Sequence, residues 1–224
     1  MKSVVGLCIA LVLLTSCRTS TEESWVSLMD QAYWKGYLMD DIPAHWVFQE
    51  GELLCKEVEN KPQIDLITKA SFGNFILELK WNIMPKGNSG IFYHIIEDKA
   101  YTAPYQTAPE YQLIDEINFP SPLNDWQKSA ANYAMHPPKK SNLFKGAGQW
   151  NSTRIVYDHG RVQHWLNGEL VVEFNEKSDL WTTLRASGKW KDYPGYKKSS
   201  KGPIGLQDHG VGIRFKDIRI KSLD

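Results

Sequence analysis

The stretch Pro109-Glu110-Tyr111-Gln112-Leu113-Ile114-Asp115 decides how the chain is read. Glu110 and Gln112 fall on one side of an extended backbone, Tyr111 and Leu113 on the other. That two-residue period predicts a β-strand with one face on a core and one face wet. The polar face carries a carboxylate beside an amide, which is hydrogen-bonding and titratable chemistry. A second stretch answers it, Gly202-Pro203-Ile204-Gly205-Leu206-Gln207-Asp208-His209-Gly210. Ile204 and Leu206 point one way; Gly205, Gln207 and His209 point the other. Two such strands in one sheet would build one site.

Outward from these, the same period recurs. Phe75, Leu77, Leu79 and Trp81 alternate with Glu78, Lys80 and Asn82, the clearest strand of the chain. Further strands are expected at 46–49, 53–55, 65–68, 91–96, 149–157, 162–166, 170–174 and 212–221, the last losing its parity near Asp217. Glu50-Gly51 and Asn167-Gly168 supply tight turns between paired strands. Asn88-Ser89-Gly90 reads either as turn chemistry or as lining of the site. Residues 24–37 suit a short helix or an edge segment. Two long stretches lack periodicity. One, 116–148, holds Trp126, Tyr133 and His136 and reads as a lid or binding loop. The other, 178–201, interleaves Lys189, Trp190, Lys191, Tyr193 and Tyr196 and reads as a wall that stacks a sugar ring. Many short strands and almost no helix predict an all-β, two-sheet jelly-roll sandwich.

Composition narrows the function. The 224 residues carry no formal net charge, so nothing favours nucleic acid or an acidic surface as partner. Nine tryptophans serve a core and also suit stacking on sugars. The first residues form an address. Lys2 precedes an apolar run, Val4 to Leu14, too short to span a bilayer. Leu14-Thr15-Ser16-Cys17 then reads as a lipobox, with residues 1–16 a lipoprotein signal peptide, Cys17 the lipidated anchor, 17–24 a tether and 25–224 one domain. The expected location is the cell envelope of a Gram-negative bacterium, in the periplasm or on the outer-membrane surface. Of three cysteines only Cys55 remains in the mature chain outside the anchor, so no intramolecular disulfide forms there. Cys55 reads as a buried small hydrophobe.

For chemistry, Glu110, Gln112 and Asp115 invite comparison with glycosidases that alternate carboxylates along a strand. A retaining glycosidase needs two carboxyl groups about 5 Å apart. Here the middle position is an amide and Asp115 has the wrong parity, although Asp115 or Asp208 could restore the pair. A single Glu with a His suits proton abstraction and protonation of a leaving group. No cofactor is demanded; a divalent metal held by Glu110 and His209 is compatible with the residues.

Asn88-Ser-Gly-Ile-Phe-Tyr93, Glu110-Tyr-Gln-Leu-Ile-Asp115, Gly148-Gln-Trp-Asn151, His164-Trp-Leu-Asn-Gly168 and Leu206-Gln-Asp-His-Gly210, in that order, resemble the 3-keto-disaccharide hydrolase family. His94 stands where many members carry Arg. The resemblance covers about Trp25 to Leu223. It implies a concanavalin-like jelly roll, export as a lipoprotein, and a substrate sugar already oxidised at C3. On that reading Glu110 and His209 divide the roles of base and acid. Gln112, Gln207 and Asn88 hold hydroxyls and an enolate oxygen. Asp115, Asp208 and Tyr133 line the substrate, and Lys189 and Tyr193 come from the wall. Two other functions fit the same residues: a carbohydrate-binding module without chemistry, and a conventional glycosidase on unoxidised glycans.

Overall fold

The computed structural model describes residues 24–224. The signal peptide, Cys17 and nearly all of the tether lie outside the described residues. In chain order the strands are β1 (Val26–Ser27), β2 (Trp34–Gly36), β3 (Trp46–Gln49), β4 (Glu52–Cys55), β5 (Leu66–Thr68), β6 (Phe75–Ile83), β7 (Asn88–Tyr93), β8 (Glu110–Ile114), β9 (Asn151–Asp158), β10 (Arg161–Leu166), β11 (Glu169–Asn175), β12 (Ile204–Leu206) and β13 (Ile213–Ser222). One α-helix, α1 (Asp179–Ser187), lies between β11 and β12.

The strands form two antiparallel sheets. The larger runs β11-β10-β9-β6-β13-β4-β3, with β1 pairing the far half of β13. The smaller runs β2-β5-β12-β7-β8. Between them Phe75, Leu77, Leu79 and Trp81 of β6 meet Ile91 and Tyr93 of β7, Tyr111 and Leu113 of β8, and Leu206 of β12 in one buried core. Burying a large apolar side chain is worth about 1.5–3 kcal/mol, so this interlayer, not any single bond, sets the two-sheet architecture.

Three hairpins of the larger sheet turn on two residues each: Glu50-Gly51, His159-Gly160 and Asn167-Gly168, all with positive φ. That geometry matches the right-handed twist of the flanking strands. Asn167 adds a staple, its Nδ2 donating to Leu143 O at 2.7 Å and its Oδ1 accepting from Ser152 N at 2.8 Å. The lost parity in β13 is a bulge: its register with β6 shifts between Lys216 and Arg219, and Asp217 takes a φ of 54°.

Several expectations are corrected. β7 begins at Asn88, so Asn88, Ser89 and Gly90 are strand residues paired to Ile114, Leu113 and Gln112. Its pairing with β8 overrides their turn preference. The strand ends at Tyr93, because His94 adopts a φ of 61°. Residues 24–37 follow the edge-segment expectation rather than the helical one, giving the edge strands β1 and β2 with a single 3-10 turn between them. The wall segment holds α1, capped by Ser178, whose Oγ accepts from Trp181 N. The second face of β8 is not wet: all five residues are buried. At one end Tyr37, Ile67, Phe92, Ile95 and Ala108 form a satellite core over the outer side of the small sheet. Residues 130–133 run along the free edge of β8, with Ala130 N donating to Gln112 O and Gln112 N donating to Ala131 O. That cover removes the exposed edge that β8 would otherwise present.

Candidate functional site

The outer face of the small sheet carries the chemistry. Glu110 stands opposite Phe92 on β7. One step along, Gln112 stands opposite Gly90, and Gln207 N donates to Gly90 O at 2.9 Å. Leu206 pairs Leu66, so Asp65, the residue before β5, continues the same row. The row therefore reads Gln112, Gly90, Gln207, Asp65 across four strands, with Asn88 one step further along β7. Gly90 is required there: a Cβ at this position would run into Oε1 of Glu110. The Glu110 side chain lies over the bare backbone of its neighbour. Gly90→Ala should push the carboxyl aside, at a packing cost of about 1–3 kcal/mol, and lower activity by roughly 10²-fold while the chain still folds. Turnover measured beside a denaturation curve checks this.

Burial pushes the Glu110 carboxyl up to about 8. The positive charge of Lys189 pulls it down and the charge of Asp65 adds to the rise. Asp65 is itself pushed up to about 7, mainly by burial, although its Oδ1 accepts from Asp208 N at 2.8 Å. Lys189 is solvent-exposed, yet its ammonium lies 4.7 Å from the ring centroids of Tyr133 and Trp190 and 5.3 Å from that of Tyr105. Desolvation lowers its pKa and Glu110 opposes that shift. Tyr105 packs edge-on against Tyr193, and Tyr133 against Trp126 and Trp190. The expected aromatic wall is thus present beside Glu110, with Lys189 at its centre.

Three buried side-chain oxygens on this face, Asn88 Oδ1, Gln112 Oε1 and Gln207 Oε1, have no hydrogen-bond partner among the described residues. Leaving such a group unpaired costs about 1–3 kcal/mol, and buried polar groups are nearly always paired. Three on one face, beside a carboxyl that burial pushes up to about 8, leave acceptors open to hydroxyl donors. A groove of about 690 Å³ lies elsewhere, on the outer face of the large sheet, lined by Glu78, Arg154, Trp165 and Arg219 among others. There Glu78 bonds both arginines, at 2.7 Å and 2.9 Å, so that groove presents satisfied groups.

The structure gathers Glu110, Gln112, Asn88, Gln207, Lys189, Tyr133 and Tyr193 around one face. It does not gather the other predicted residues there. Asp115 turns to the chain: its carboxylate accepts from the backbone N–H groups of Lys86, Ile117 and Asn118, which clamps two turns and holds its pKa below the usual range. Asp208 has the opposite parity to Gln207. It pairs with Lys61 and lies 3.0 Å from His45 Nε2. His209 is exposed, with no hydrogen bond, ion pair or ring contact to Glu110 among the described residues. Among the described residues Glu110 and His209 therefore make no direct contact, and as base and acid they would meet only through a substrate between them. Among the described residues His45, Cys55 and Asp208 bring ligand atoms within 4.8 Å of one another, but the Lys61 ammonium already occupies that carboxylate. Burial raises the Cys55 thiol, which agrees with its reading as a small hydrophobe. Asp65 is the group that sequence reading missed. Its signal was a carboxylate at the start of Asp65-Leu66-Ile67-Thr68 with the parity of Ile67.

The geometry has relatives. A solved structure of a putative glycosyl hydrolase from Parabacteroides distasonis aligns with a TM-score of 0.85 at 38% identity, over 90% of this chain and 95% of that one. A second putative glycosyl hydrolase from that organism aligns with a TM-score of 0.64 at 24% identity, over 85% and 99% of the two chains. A carbohydrate-binding module of Bacillus subtilis shares the fold, at a TM-score of 0.52 and 12% identity, over 85% of this chain and 96% of that one. The 3-keto-disaccharide hydrolase of Bacteroides thetaiotaomicron is 33% identical over 217 residues, covering 85% of this chain and 74% of that protein. The model of the 3-keto-alpha-glucoside-1,2-lyase-like domain matches residues 24–221. Both sheets, the wall and the Glu110 face all fall within that match, so this chain belongs to the 3-keto-alpha-glucoside-1,2-lyase-like domain family.

Proposed function

We propose that this protein cleaves the glycosidic bond of 3-keto-glycosides by removing the C2 proton and eliminating the C1 substituent, with water added back in net hydrolysis. The observation that carries this reading is the buried Glu110 carboxyl lying over Gly90, within the field of the Lys189 cation and beside a row of unpartnered amide oxygens. A ketone at C3 acidifies the C2 hydrogen. A base takes that proton and the electrons pass to the C3 oxygen as an enolate. Re-forming the C3 carbonyl moves them into a C1–C2 double bond, and the C1–O1 bond breaks as O1 receives a proton. Glu110 is one proton-transfer group. Lys189 stabilises negative charge on the enolate or the leaving oxygen. Asn88, Gln112 and Gln207 accept from sugar hydroxyls, and Tyr105, Tyr133 and Tyr193 face the ring. Family membership and the named Bacteroides relative support a carbohydrate substrate. Export as a lipoprotein anchored through Cys17 is proposed from Leu14-Thr15-Ser16-Cys17 alone.

The test is incubation of the chain lacking residues 1–17 in D2O with α- and β-linked 3-keto-glucosides and with the matching unoxidised glucosides. The expected result is aglycone release from the keto sugars alone, with deuterium entering C2 or a transient glucal. Release from both classes would make the protein an ordinary glycosidase. Neither release nor exchange, with and without added divalent metal, would leave a binding module.

A further inference from the structure

We propose that Asp65 is the second acid–base carboxylate of this site, sharing one proton with Glu110 across the outer face of the small sheet. The inference rests on the elimination reading and deepens it. Asp65 lies in the row Gln112, Gly90, Gln207, and Glu110 leans over Gly90 into that row. Neighbouring strands are about 4.8 Å apart, so the Gly90 and Asp65 backbones stand roughly 10 Å apart with Gln207 between them. A sugar lying over Gln207 would have one carboxyl side chain on either side of it.

A structural carboxylate at such a place would be paired, because burying an unpaired charge is costly. Among the described residues Asp65 has no ion pair, and neither does Glu110, on which the Lys189 cation acts only at longer range. One Asp65 oxygen accepts from Asp208 N, while the other has no partner among the described residues. Asp208 in turn is anchored: Lys61 and His45 face its carboxylate, and Ile64 N at 3.3 Å and Gly210 N at 3.0 Å donate to it. The network at the sheet end thereby holds one oxygen of Asp65 and leaves its other oxygen open, in the row that also carries Gln112 and Gln207. Two like charges in one desolvated site resist ionising together, and their titration belongs to the pair.

A pair holding one proton completes the elimination without another acid. The ionised member takes the C2 proton. The C–H electrons become the C1–C2 double bond by way of the enolate, and the C1–O1 electrons stay on O1. The protonated member gives its proton to O1. Protons taken and given balance, and the pair ends with the roles exchanged.

Asp65→Asn keeps an acceptor for Asp208 N, so the fold is expected to stand. Two measurements test the proposal on the full domain. In carbon-detected NMR of labelled carboxyl groups, Glu110 should titrate at lower pH in the variant than in the wild type, because a charge that opposes its ionisation is gone. Turnover of a 3-keto-glucoside should fall by about 10²–10⁴-fold with KM changed far less, and the basic limb of the pH profile should move. A Glu110 titration that does not move, or turnover within threefold of wild type, overturns the proposal. If the wild type acts on no keto sugar, the functional reading fails by itself, and the NMR shift still decides whether the two carboxyls share a proton.

Discussion

Glu110→Gln is expected to lower turnover of a 3-keto-glycoside by about 10²–10⁴-fold, the range for losing one positioned proton-transfer group, while the chain keeps its fold. The amide has the shape of the carboxyl, so it still lies over Gly90, where only a glycine leaves room. It cannot exchange a proton with substrate. The same variant has a stability signature. The folded pKa of Glu110, about 8, lies above the ordinary carboxylate value, so the folded state holds a proton that the unfolded chain releases. Stability from this group is present at low pH and is lost as pH rises through the folded pKa. Asp65, at about 7, acts in the same direction. The buried His94 and His164 and the half-buried His136 act in the opposite direction at lower pH. Burial lowers His94 to about 3 and His136 and His164 to about 4, so acidification below about 6.5 favours the unfolded chain. The two effects separate between about pH 6.5 and 8. There the wild type should lose up to about 1.4 kcal/mol per pH unit for each carboxyl, and Glu110→Gln should flatten the slope. Urea denaturation at half-unit pH steps measures it. Wild-type turnover, or an unchanged slope, would remove Glu110 from its role.

Much of this site was legible because strand parity is local. Alternation alone placed Glu110 and Gln112 on one face and Tyr111 and Leu113 in the core, as the structure has them. Burial of that polar face was not legible, because its cover comes from residues 130–133 and from the wall, far along the chain. Motif adjacency also misled. Gln207, Asp208 and His209 are neighbours in sequence, but one faces the site, one bonds Lys61, and one stands in solvent. Asp65 was hidden because β5 meets β12 across some 140 residues, and only that pairing puts it in the row with Gln112. Helix α1 went unread because it buries a single side chain, Trp181, and so shows no apolar stripe. Its Ser178 cap and the Gly188 that ends it were in the sequence all the same.

Lys197→Met is expected to cost about 3–5 kcal/mol of stability, the penalty for stripping one partner from a buried ion pair. That corresponds to a fall of roughly 6–20 °C in Tm for a chain of this size. The Lys197 and Glu176 side chains are 4% and 8% exposed and lie 2.9 Å apart. Lys197 Nζ also donates to His94 Nδ1 at 2.9 Å, which leaves His94 Nε2–H to donate to Gly73 O at 2.9 Å. Tyr157 OH donates to Glu176 at 2.8 Å. Without the ammonium, the Glu176 carboxylate keeps Tyr157 alone, and its pKa, already raised by burial, must rise further. The variant should therefore regain stability as pH falls, since a folded pKa above the unfolded one favours the folded state at low pH. Joint replacement of Lys197 and Glu176 by Met should recover much of the loss, because an apolar pair leaves no orphaned charge. The effect reaches the site. Lys197 N donates to Thr107 O at 2.8 Å, which ties the segment bearing Lys189 to the loop bearing Tyr105. Activity in the single variant should fall with the order of that wall, below the temperature at which the sandwich itself unfolds. A loss under 1 kcal/mol, or a loss relative to the wild type that is no smaller at pH 6.5 than at pH 8, would show that the buried cluster neither holds the sandwich nor roots the wall.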